Sequence, residues 1–520
     1  MTKHKLLLGT LLTSGLLLSC NESALLDQVN PNRAVITTFW QNQDDAIKGL
    51  NAAYSSMQEP LFARWILFST DLSSDEGYSQ SPWTDLGNIS KFIVPDSNLE
   101  PIRAPFEWAY KGIYRTNQVI ENVPNINMDA ALKKRIVAEA KVIRAYFYYH
   151  LVNVWGRVPE VTRVQSPNDR PRQMTEAEGF DLVIKDCTEA VADLPEAYTG
   201  NDLGRFHKYS AIGLMGKAYM QKKQWAQAAA TFKQILDVVP TRFDLVPDWR
   251  DNFTVVNENN KESLMEVQFA EDPTKSGFPA YNVAGGSEGS ERAQFFGLRN
   301  VGWCDGQPTK WLYNEFMKEK DKNGNVDPRL DYTLFYQGSK LIHYGKTWDE
   351  WSAEKGYGPN DRFWVKYTNW NKPKGFVENY FSGINTRVIR LADVMLLYAE
   401  ALNEQGQTAQ AIPFANRVRA RSNMANLPLT LTQTAFREQL RHDRVVELAG
   451  ETVRFFDMKR YGILGPELAG PDAQKNPRPP ANISDFDTDF ANFVKGKSEY
   501  YPLPLYETDA NPNIKQNPGW

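Results

Sequence analysis

Apolar residues recur at helical spacing over two long stretches of the chain, residues 39–240 and 386–460. The best-defined apolar face in the first stretch is that of Trp40, Ala46, Leu50, Ala53 and Tyr54. A repeat of three to four residues places side chains on one face of an α-helix. The sequence therefore predicts a mostly α-helical fold, including a long helix over residues 129–155.

One helical segment has the spacing of a known repeat. Gly216, Tyr219, Ala228, Phe232 and Pro240 match the small, aromatic, small, aromatic and proline positions of a tetratricopeptide repeat. Small residues let two antiparallel helices approach each other, and proline stops the second helix. Such a pair needs stacked neighbours to bury its apolar faces, so the pattern predicts a scaffold of several helical pairs.

A weaker copy of this repeat falls in the second helical stretch. Its positions are Ala399, Leu402, Gly406, Ala411 and Ala415. A chance amphipathic hairpin is the alternative interpretation of this copy.

Between the helical stretches, residues 241–385 lose this periodicity. The segment is rich in glycine, proline, asparagine and aromatic residues, and six of the fourteen tryptophans lie between Trp303 and Trp370. Short strands are predicted at 264–269 and 334–336. Long loop-rich segments in compact proteins usually carry function, so this one is the expected ligand side.

The amino terminus has the pattern of an export signal. Residues 1–5 are basic, and the apolar run of residues 6–18 is too short to cross a bilayer of about 30 Å. The residues before Cys20 resemble the lipobox of bacterial lipoproteins. We therefore expect a signal peptide over 1–19 and a lipid on Cys20, followed by a tether over 20–38. An ordinary signal with a chance cysteine is the alternative.

Composition narrows the function classes. The net charge is −4 with no basic block, which disfavours nucleic acid as a partner. Besides Cys20 the chain has only Cys187 and Cys304, which leaves one disulfide open, although a buried free thiol is the favoured role of Cys187.

Catalytic and metal motifs are missing from the sequence. It has no HExxH, no Gly-x-Ser-x-Gly and no phosphate-binding glycine loop, and its five histidines are scattered. Asp75 and Glu76 are the first candidates for a glycosidase carboxylate pair, but a polar turn is the favoured interpretation. Residues 321–332 do not complete a calcium loop, and Asn323-Gly324 predicts a tight turn instead. We expect that the protein is not an enzyme and has no cofactor, and we predict no metal-binding residue. The presence of a structural metal ion is left open.

Five blocks of the chain carry a recognisable pattern, namely residues 39–54, 144–159, 390–403, 446–462 and 501–520. In this order they resemble the SusD/RagB family of outer-membrane nutrient-binding lipoproteins. A row of charged residues lies in the fourth block and in the residues just before it. We expect this charged row to form structural ion pairs between helices. Its members are Arg441, Asp443, Arg444, Glu447, Glu451, Arg454 and Asp457.

The resemblance implies one body over residues 39–520, with its scaffold over 39–240 and 386–460, its ligand side over 241–385 and a terminal segment over 461–520. It implies a hinged lid that faces a SusC-like TonB-dependent transporter and captures oligosaccharide. A peptide-binding member of the family is the first alternative, and a lipid-anchored glycoside hydrolase the second. The implied location is the outer membrane, at the cell surface. The choice between the surface leaflet and the periplasmic leaflet is left open.

By location and residue type, the ligand would contact two loops. The early loop, residues 71–88, contributes Asp75 and Trp83, with Tyr78 and Asn88 beside them. The later loop, residues 281–305, contributes Tyr281 and Trp303, with Glu291 and Arg292 beside them. Sugar capture needs a flat apolar ring face and hydrogen-bonding groups at its edge, which makes Trp83 and Trp303 the preferred candidates.

Overall fold

A computed structural model of the protein describes residues 39–275, 288–464 and 492–520. Helices dominate, as the sequence predicts. They are α1 (Gln43–Gln58), α2 (Pro60–Asp71), α3 (Thr84–Ser90), α4 (Glu100–Asn122), α5 (Ala130–Trp155), α6 (Glu176–Val191), α7 (Lys208–Gln221), α8 (Trp225–Leu236), α9 (Arg292–Phe296), α10 (Lys310–Met317), α11 (Arg329–Thr333), α12 (Trp348–Lys355), α13 (Leu391–Glu404), α14 (Thr408–Arg421), α15 (Gln433–Leu448), α16 (Arg454–Tyr461) and α17 (Leu505–Ala510). The strands are β1 (Gly77–Tyr78), β2 (Ser263–Val267), β3 (Gln307–Pro308), β4 (Leu334–Tyr336), β5 (Arg362–Trp364) and β6 (Thr386–Arg390).

The helices of the two helical stretches form one continuous series. In that series α4 packs on α5, α5 on α6, α6 on α7 and α7 on α8. Helix α8 then packs directly on α13, which contacts both α14 and α15. The loop-rich segment is therefore an insertion between two neighbouring helices of one scaffold.

The repeat pattern is explained by the contact between α7 and α8. A Cβ atom added at Gly216 would lie 2.4 Å from the Phe232 ring, so only glycine allows this approach. The weaker copy also forms a helix pair, α13 and α14, joined through Gly406 at a φ of +77°. Both interpretations of the weaker copy, a repeat and a chance amphipathic hairpin, predict this helix pair.

The loop-rich segment leaves and re-enters the scaffold at one place. Strands β2 and β6 pair antiparallel, with Ser263 opposite Arg390 and Val267 opposite Thr386. Strand β4 pairs with β5 farther along the segment. Both strands predicted from the sequence, β2 and β4, are present.

Two small aromatic cores lie in this segment, beside the main core. One holds Leu298, Val301, Cys304, Phe335, Leu341, Tyr344, Trp348, Trp351, Tyr357, Phe363 and Val365. The other holds Trp249, Phe253, Tyr367 and Ile384. Much of the aromatic richness of the segment is therefore core packing.

Six of the seven residues in the predicted charged row are buried and form ion pairs outside their own helix, although the partner of Arg454 lies in the early loop and not on a helix. Glu447 accepts hydrogen bonds from Arg390 at 2.6 Å and from Arg329 at 3.1 Å, which link the loop-rich segment to the scaffold. Burial alone would raise the pKa of Glu447, but the surrounding arginines hold it far below its usual value. Arg441 is the exception, because its ion pair, at 3.4 Å, is with Glu438 of its own helix. The prediction of an interhelical pair at Arg441 is wrong.

Two smaller predictions concern a turn and the cysteines. Gly324 lies at a φ of +82° and donates its N–H to the carbonyl of Asp321, which confirms the tight turn. Cys187 and Cys304 are both buried free thiols, so they do not form a disulfide with each other. Cys20 lies outside the described residues. Within the described ranges, no helix combines the length and hydropathy needed to cross a membrane.

Candidate functional site

The two loops predicted to bind ligand lie side by side. Strand β1 of the early loop pairs with β3, which follows the later loop, so that Gly77 lies opposite Pro308 and Tyr78 opposite Gln307. Thr309 extends the pairing, because its N–H donates to the Glu76 carbonyl at 3.0 Å. The sequence predicts both loops but not this pairing, which involves only two residues from each strand.

Trp303 carries the most accessible indole ring of the site. All fourteen tryptophans lie in the described residues, and only Trp303 is exposed, with 45% of its surface accessible. Its ring makes edge-to-face contacts with Phe295, at a centroid distance of 5.0 Å, and with Tyr380, at 5.6 Å. We call Trp303 and Tyr380 the aromatic platform. An exposed indole ring held by two other rings is suited to stacking on the apolar face of a ligand.

A buried ion pair lies beside Phe295, the ring that contacts Trp303 of the platform. The Arg64 guanidinium lies 5.0 Å from the Phe295 ring centroid and 5.1 Å from that of Trp65. It donates to the Glu291 carboxylate at 2.6 Å. Burial raises the pKa of Glu291 to about 7, although Arg64 acts in the opposite direction. Helix α2 and the start of α9 therefore hold the Phe295 ring that contacts Trp303.

Trp83 is placed differently from Trp303. Its side chain is half-buried, and its ring makes an edge-to-face contact with the fully buried Trp65 at 4.9 Å. Trp65 also lies beside Arg64, so Trp83 and Trp303 belong to one connected cluster. Trp83 contributes to both packing and surface, and its contact with ligand stays a prediction.

Asp75 lies inside the protein. It is 1% exposed, and its carboxylate accepts two hydrogen bonds from Arg454 at 2.8 and 2.7 Å. Its neighbour Glu76 is fully buried, and burial together with Asp71 and Asp75 raises the pKa of Glu76. In this conformation neither carboxylate faces solvent, so the pair does not form an open glycosidase site.

The other predicted positions divide between the interior and the surface. Tyr281 lies outside the described residues. Tyr78 and Arg292 are buried, whereas Asn88 is half-buried. Burial raises the pKa of Asp305, and a hydrogen bond from Ser81 of the early loop acts in the opposite direction.

Tyr380 is the platform residue that sequence reasoning missed. It belongs to the far end of the loop-rich segment, where Ser290 and Ser382 exchange backbone hydrogen bonds and bring that end beside α9. Its polar surroundings, Asn379 and Ser382, were the available signal. The contact itself depends on tertiary structure.

One group of described residues has the donor types of a metal site. Oxygen or nitrogen atoms of Glu319, His442 and Asp443 lie within 4.8 Å of one another. Arg419 binds Glu319 at 2.8 Å and Asp443 at 2.5 Å, so a guanidinium already supplies the positive charge. This group is accounted for as an ion-pair cluster.

Comparisons with known families cover most of the chain. Residues 261–520 match the SusD family, and residues 26–220 match a family described as starch-binding and associating with the outer membrane. Residues 214–241 match the tetratricopeptide repeat, at the helix pair described above.

Individual proteins agree with the family matches. A SusD-like protein of Formosa agariphila is 26% identical over 83% of this chain and 86% of its own length. A SusD superfamily protein of Bacteroides vulgatus superposes with a TM-score of 0.79 at 25% identity, over 93% of this chain and all of that chain. A structure described as a laminarin-binding SusD-like protein gives 0.73 at 26% identity, over 92% of this chain and all of that chain.

Proposed function

This chain belongs to the SusD family, and on that basis we propose that it is a glycan-binding lipoprotein of the outer membrane. In this proposal it captures oligosaccharide and delivers it to a SusC-like TonB-dependent transporter. The observation that carries the proposal is the exposed indole ring of Trp303, held edge-to-face by Phe295 and Tyr380. A pyranose ring has an apolar C–H face that packs on such a ring.

The geometry around Trp303 suits this role. Phe295 is fully buried, and both Phe295 and Tyr380 hold the indole ring through edge-to-face contacts. The orientation of the platform is therefore set before ligand arrives, which lowers the entropy cost of binding. Glycan binding is also supported by a neighbour of the same fold that is described as laminarin-binding.

Membrane attachment through Cys20 fits the same proposal. The matched family is described as associating with the outer membrane. Two or three acyl chains on one cysteine, at about 0.8 kcal/mol per buried methylene, hold a protein on a membrane almost permanently. A tethered binding protein keeps captured glycan beside its transporter.

The competing functions are separated by one experiment. Native electrophoresis through gels that contain single polysaccharides, including laminarin and starch, measures binding, and an assay of reducing ends measures cleavage. We expect retarded mobility in at least one gel without release of sugar, and unretarded migration of the Trp303→Ala variant.

Release of sugar would support the hydrolase alternative instead. Unretarded migration in every gel, combined with binding of an oligopeptide library, would support the peptide-binding alternative. Either result contradicts the proposal of glycan capture.

A further inference from the structure

A second pocket lies on the helical scaffold, and it shares no residue with the aromatic platform. It is formed at the turn between α7 and α8, the end of α13, the first half of α15 and the end of α16. The space within it, including the part that is open to solvent, is about 510 Å³.

The two carboxylates of this pocket are already neutralised. Glu404 accepts two hydrogen bonds from Arg437 at 2.6 and 2.9 Å. Glu400 accepts two from Arg460 at 2.7 and 2.8 Å. In each of these two-point pairs, one edge of the guanidinium donates both of its N–H groups to the carboxylate. Neither carboxylate is therefore free to neutralise another cation.

Two further cations in the pocket are not compensated in this way. Arg441 makes one ion pair, at 3.4 Å, with the largely exposed Glu438, and its buried Nε atom has no hydrogen-bond partner. Lys223 is exposed at the turn between α7 and α8 and forms no ion pair with any described residue. Among the lining residues, the four cations exceed Glu400 and Glu404 by two positive charges, and Glu438, outside the lining, pairs with Arg441.

Arg441 lines the pocket, and its single pair with Glu438 at 3.4 Å leaves other guanidinium N–H groups that can donate to an acceptor entering the pocket. Arginine presents its N–H groups in a planar fork that matches a carboxylate, and lysine adds a point charge. The chemistry of Arg441 and Lys223 therefore selects an anion, with carboxylate as the best geometric match.

The walls of the pocket narrow the class of ligand. Trp225 and Leu440 supply apolar surface beside the two cations. The Tyr461 ring is covered by guanidinium groups, with Arg441 at 4.5 Å and Arg460 at 4.8 Å from its centroid. Two guanidinium groups over this ring disfavour the stacking of a sugar on it, so the pocket favours a flexible chain with acidic and apolar side chains over a pyranose.

We propose that this pocket binds an acidic peptide segment of a protein partner. Arg441 and Lys223 hold a carboxylate of that segment, and an adjacent apolar side chain packs on Trp225. The site is independent of glycan capture at Trp303.

Fluorine NMR of the full chain labelled with 5-fluorotryptophan tests this site and the platform separately. Trp225→Phe and Trp303→Phe variants assign the two resonances. The probe is an N-acetylated peptide of two glutamates and two leucines, and its counterpart has glutamine in place of glutamate. We expect the acidic peptide to shift the Trp225 resonance saturably, to leave Trp303 unmoved, and to bind more weakly as salt rises.

Substitution of Arg441 gives the decisive comparison. Arg441→Met should weaken peptide binding about tenfold or more, which corresponds to the loss of one charge-assisted hydrogen bond. Arg441→Lys should lose less of the affinity for the acidic peptide. Arg417→Met, on neighbouring α14, is the matched control, because Arg417 is partly exposed and pairs with Asp244 outside the pocket.

Three outcomes would overturn the proposal. They are an unmoved Trp225 resonance, an equal affinity in Arg441→Met with an unchanged melting temperature, and a stronger response of Trp225 to oligogalacturonate than to the acidic peptide. The last would assign the pocket to acidic glycans. Failure of the Trp303 platform alone would leave the Trp225 response intact.

Discussion

Arg454 and Asp75 are 379 residues apart in sequence, and their side chains form a buried two-point ion pair with N···O distances of 2.8 and 2.7 Å. The pair joins α16 of the scaffold to the early loop, immediately before β1. Because β1 pairs with β3, this contact also fixes the start of the region that follows Trp303. The residue predicted to contact ligand therefore supports the loop that borders the site.

Replacing Asp75 with asparagine tests this supporting role. The change leaves the Arg454 charge buried without its counter-ion, which costs about 3–5 kcal/mol in typical proteins. We expect that loss in the free energy of unfolding measured by urea denaturation. The control is Asp237→Asn, which breaks the exposed pair with Lys233 and should cost at most about 1 kcal/mol. Equal losses in the two variants would contradict the assignment.

Gly216→Ala tests the close contact between α7 and α8. The new methyl group would lie 2.4 Å from the fully buried Phe232 ring, and overpacking of this kind costs about 1–3 kcal/mol. The better helix propensity of alanine recovers up to about 1 kcal/mol. We expect a lower melting temperature. Gly87→Ala, in α3 with open space around its Cβ position, should be neutral or stabilising. A stable Gly216→Ala variant would contradict the packing described for this pair.

The buried carboxyl of Glu291 should make stability depend on pH. Burial raises its pKa from 4.5 to about 7 in the folded state, so the folded protein holds this proton more tightly than the unfolded chain does. The contribution of this carboxyl to the free energy of unfolding is then fully present below about pH 4.5 and is lost as pH rises through about 7. From the size of the shift, the loss has an upper bound of about 3 kcal/mol.

Urea denaturation of the wild type and of Glu291→Gln, at pH 5 and pH 8, measures this contribution. The amide does not titrate, so the variant should lose less stability than the wild type between the two pH values. An identical change in both proteins would exclude Glu291 as the titrating group.

The lipid anchor predicted at Cys20 is independent of both proposed binding sites. Cys20→Ser removes the thiol that would be acylated, so the protein should move from the membrane fraction to the soluble fraction. Its affinity for glycan should be unchanged. Fractionation with metabolic fatty-acid labelling checks this outcome. Retention of the unlabelled variant on membranes would show that attachment does not require the lipid.

The helical scaffold was predictable because its signals are local. The spacing from Gly216 to Pro240 predicts a helix pair whose contact depends on residues close in sequence. The structure has α7 and α8 at that position. The short strands β2 and β4 were also predictable, since each is a run of apolar and aromatic residues. Their partners were not, because pairing of β2 with β6 joins residues more than one hundred positions apart.

The site was predictable only in outline. Trp303 and Trp83 have similar polar, glycine- and proline-containing surroundings in the sequence, yet Trp303 is exposed and Trp83 packs on Trp65. The sequence around Asp75 indicates only a polar loop residue, and its pairing with Arg454 is visible only in the structure. Exposure and pairing depend on distant residues, so residue type and local context could not separate these roles.

The central claim is that the exposed ring of Trp303 binds glycan. The most direct test is isothermal titration of wild type and Trp303→Ala with the polysaccharide that retards the protein in gels. Tyr114→Ala is the matched control, because Tyr114 is a similarly exposed aromatic residue, 39% accessible, on α4. Loss of one stacking ring should cost about 1–3 kcal/mol, or roughly fivefold to hundredfold in affinity, with an unchanged melting temperature. Unchanged affinity in Trp303→Ala would contradict the account.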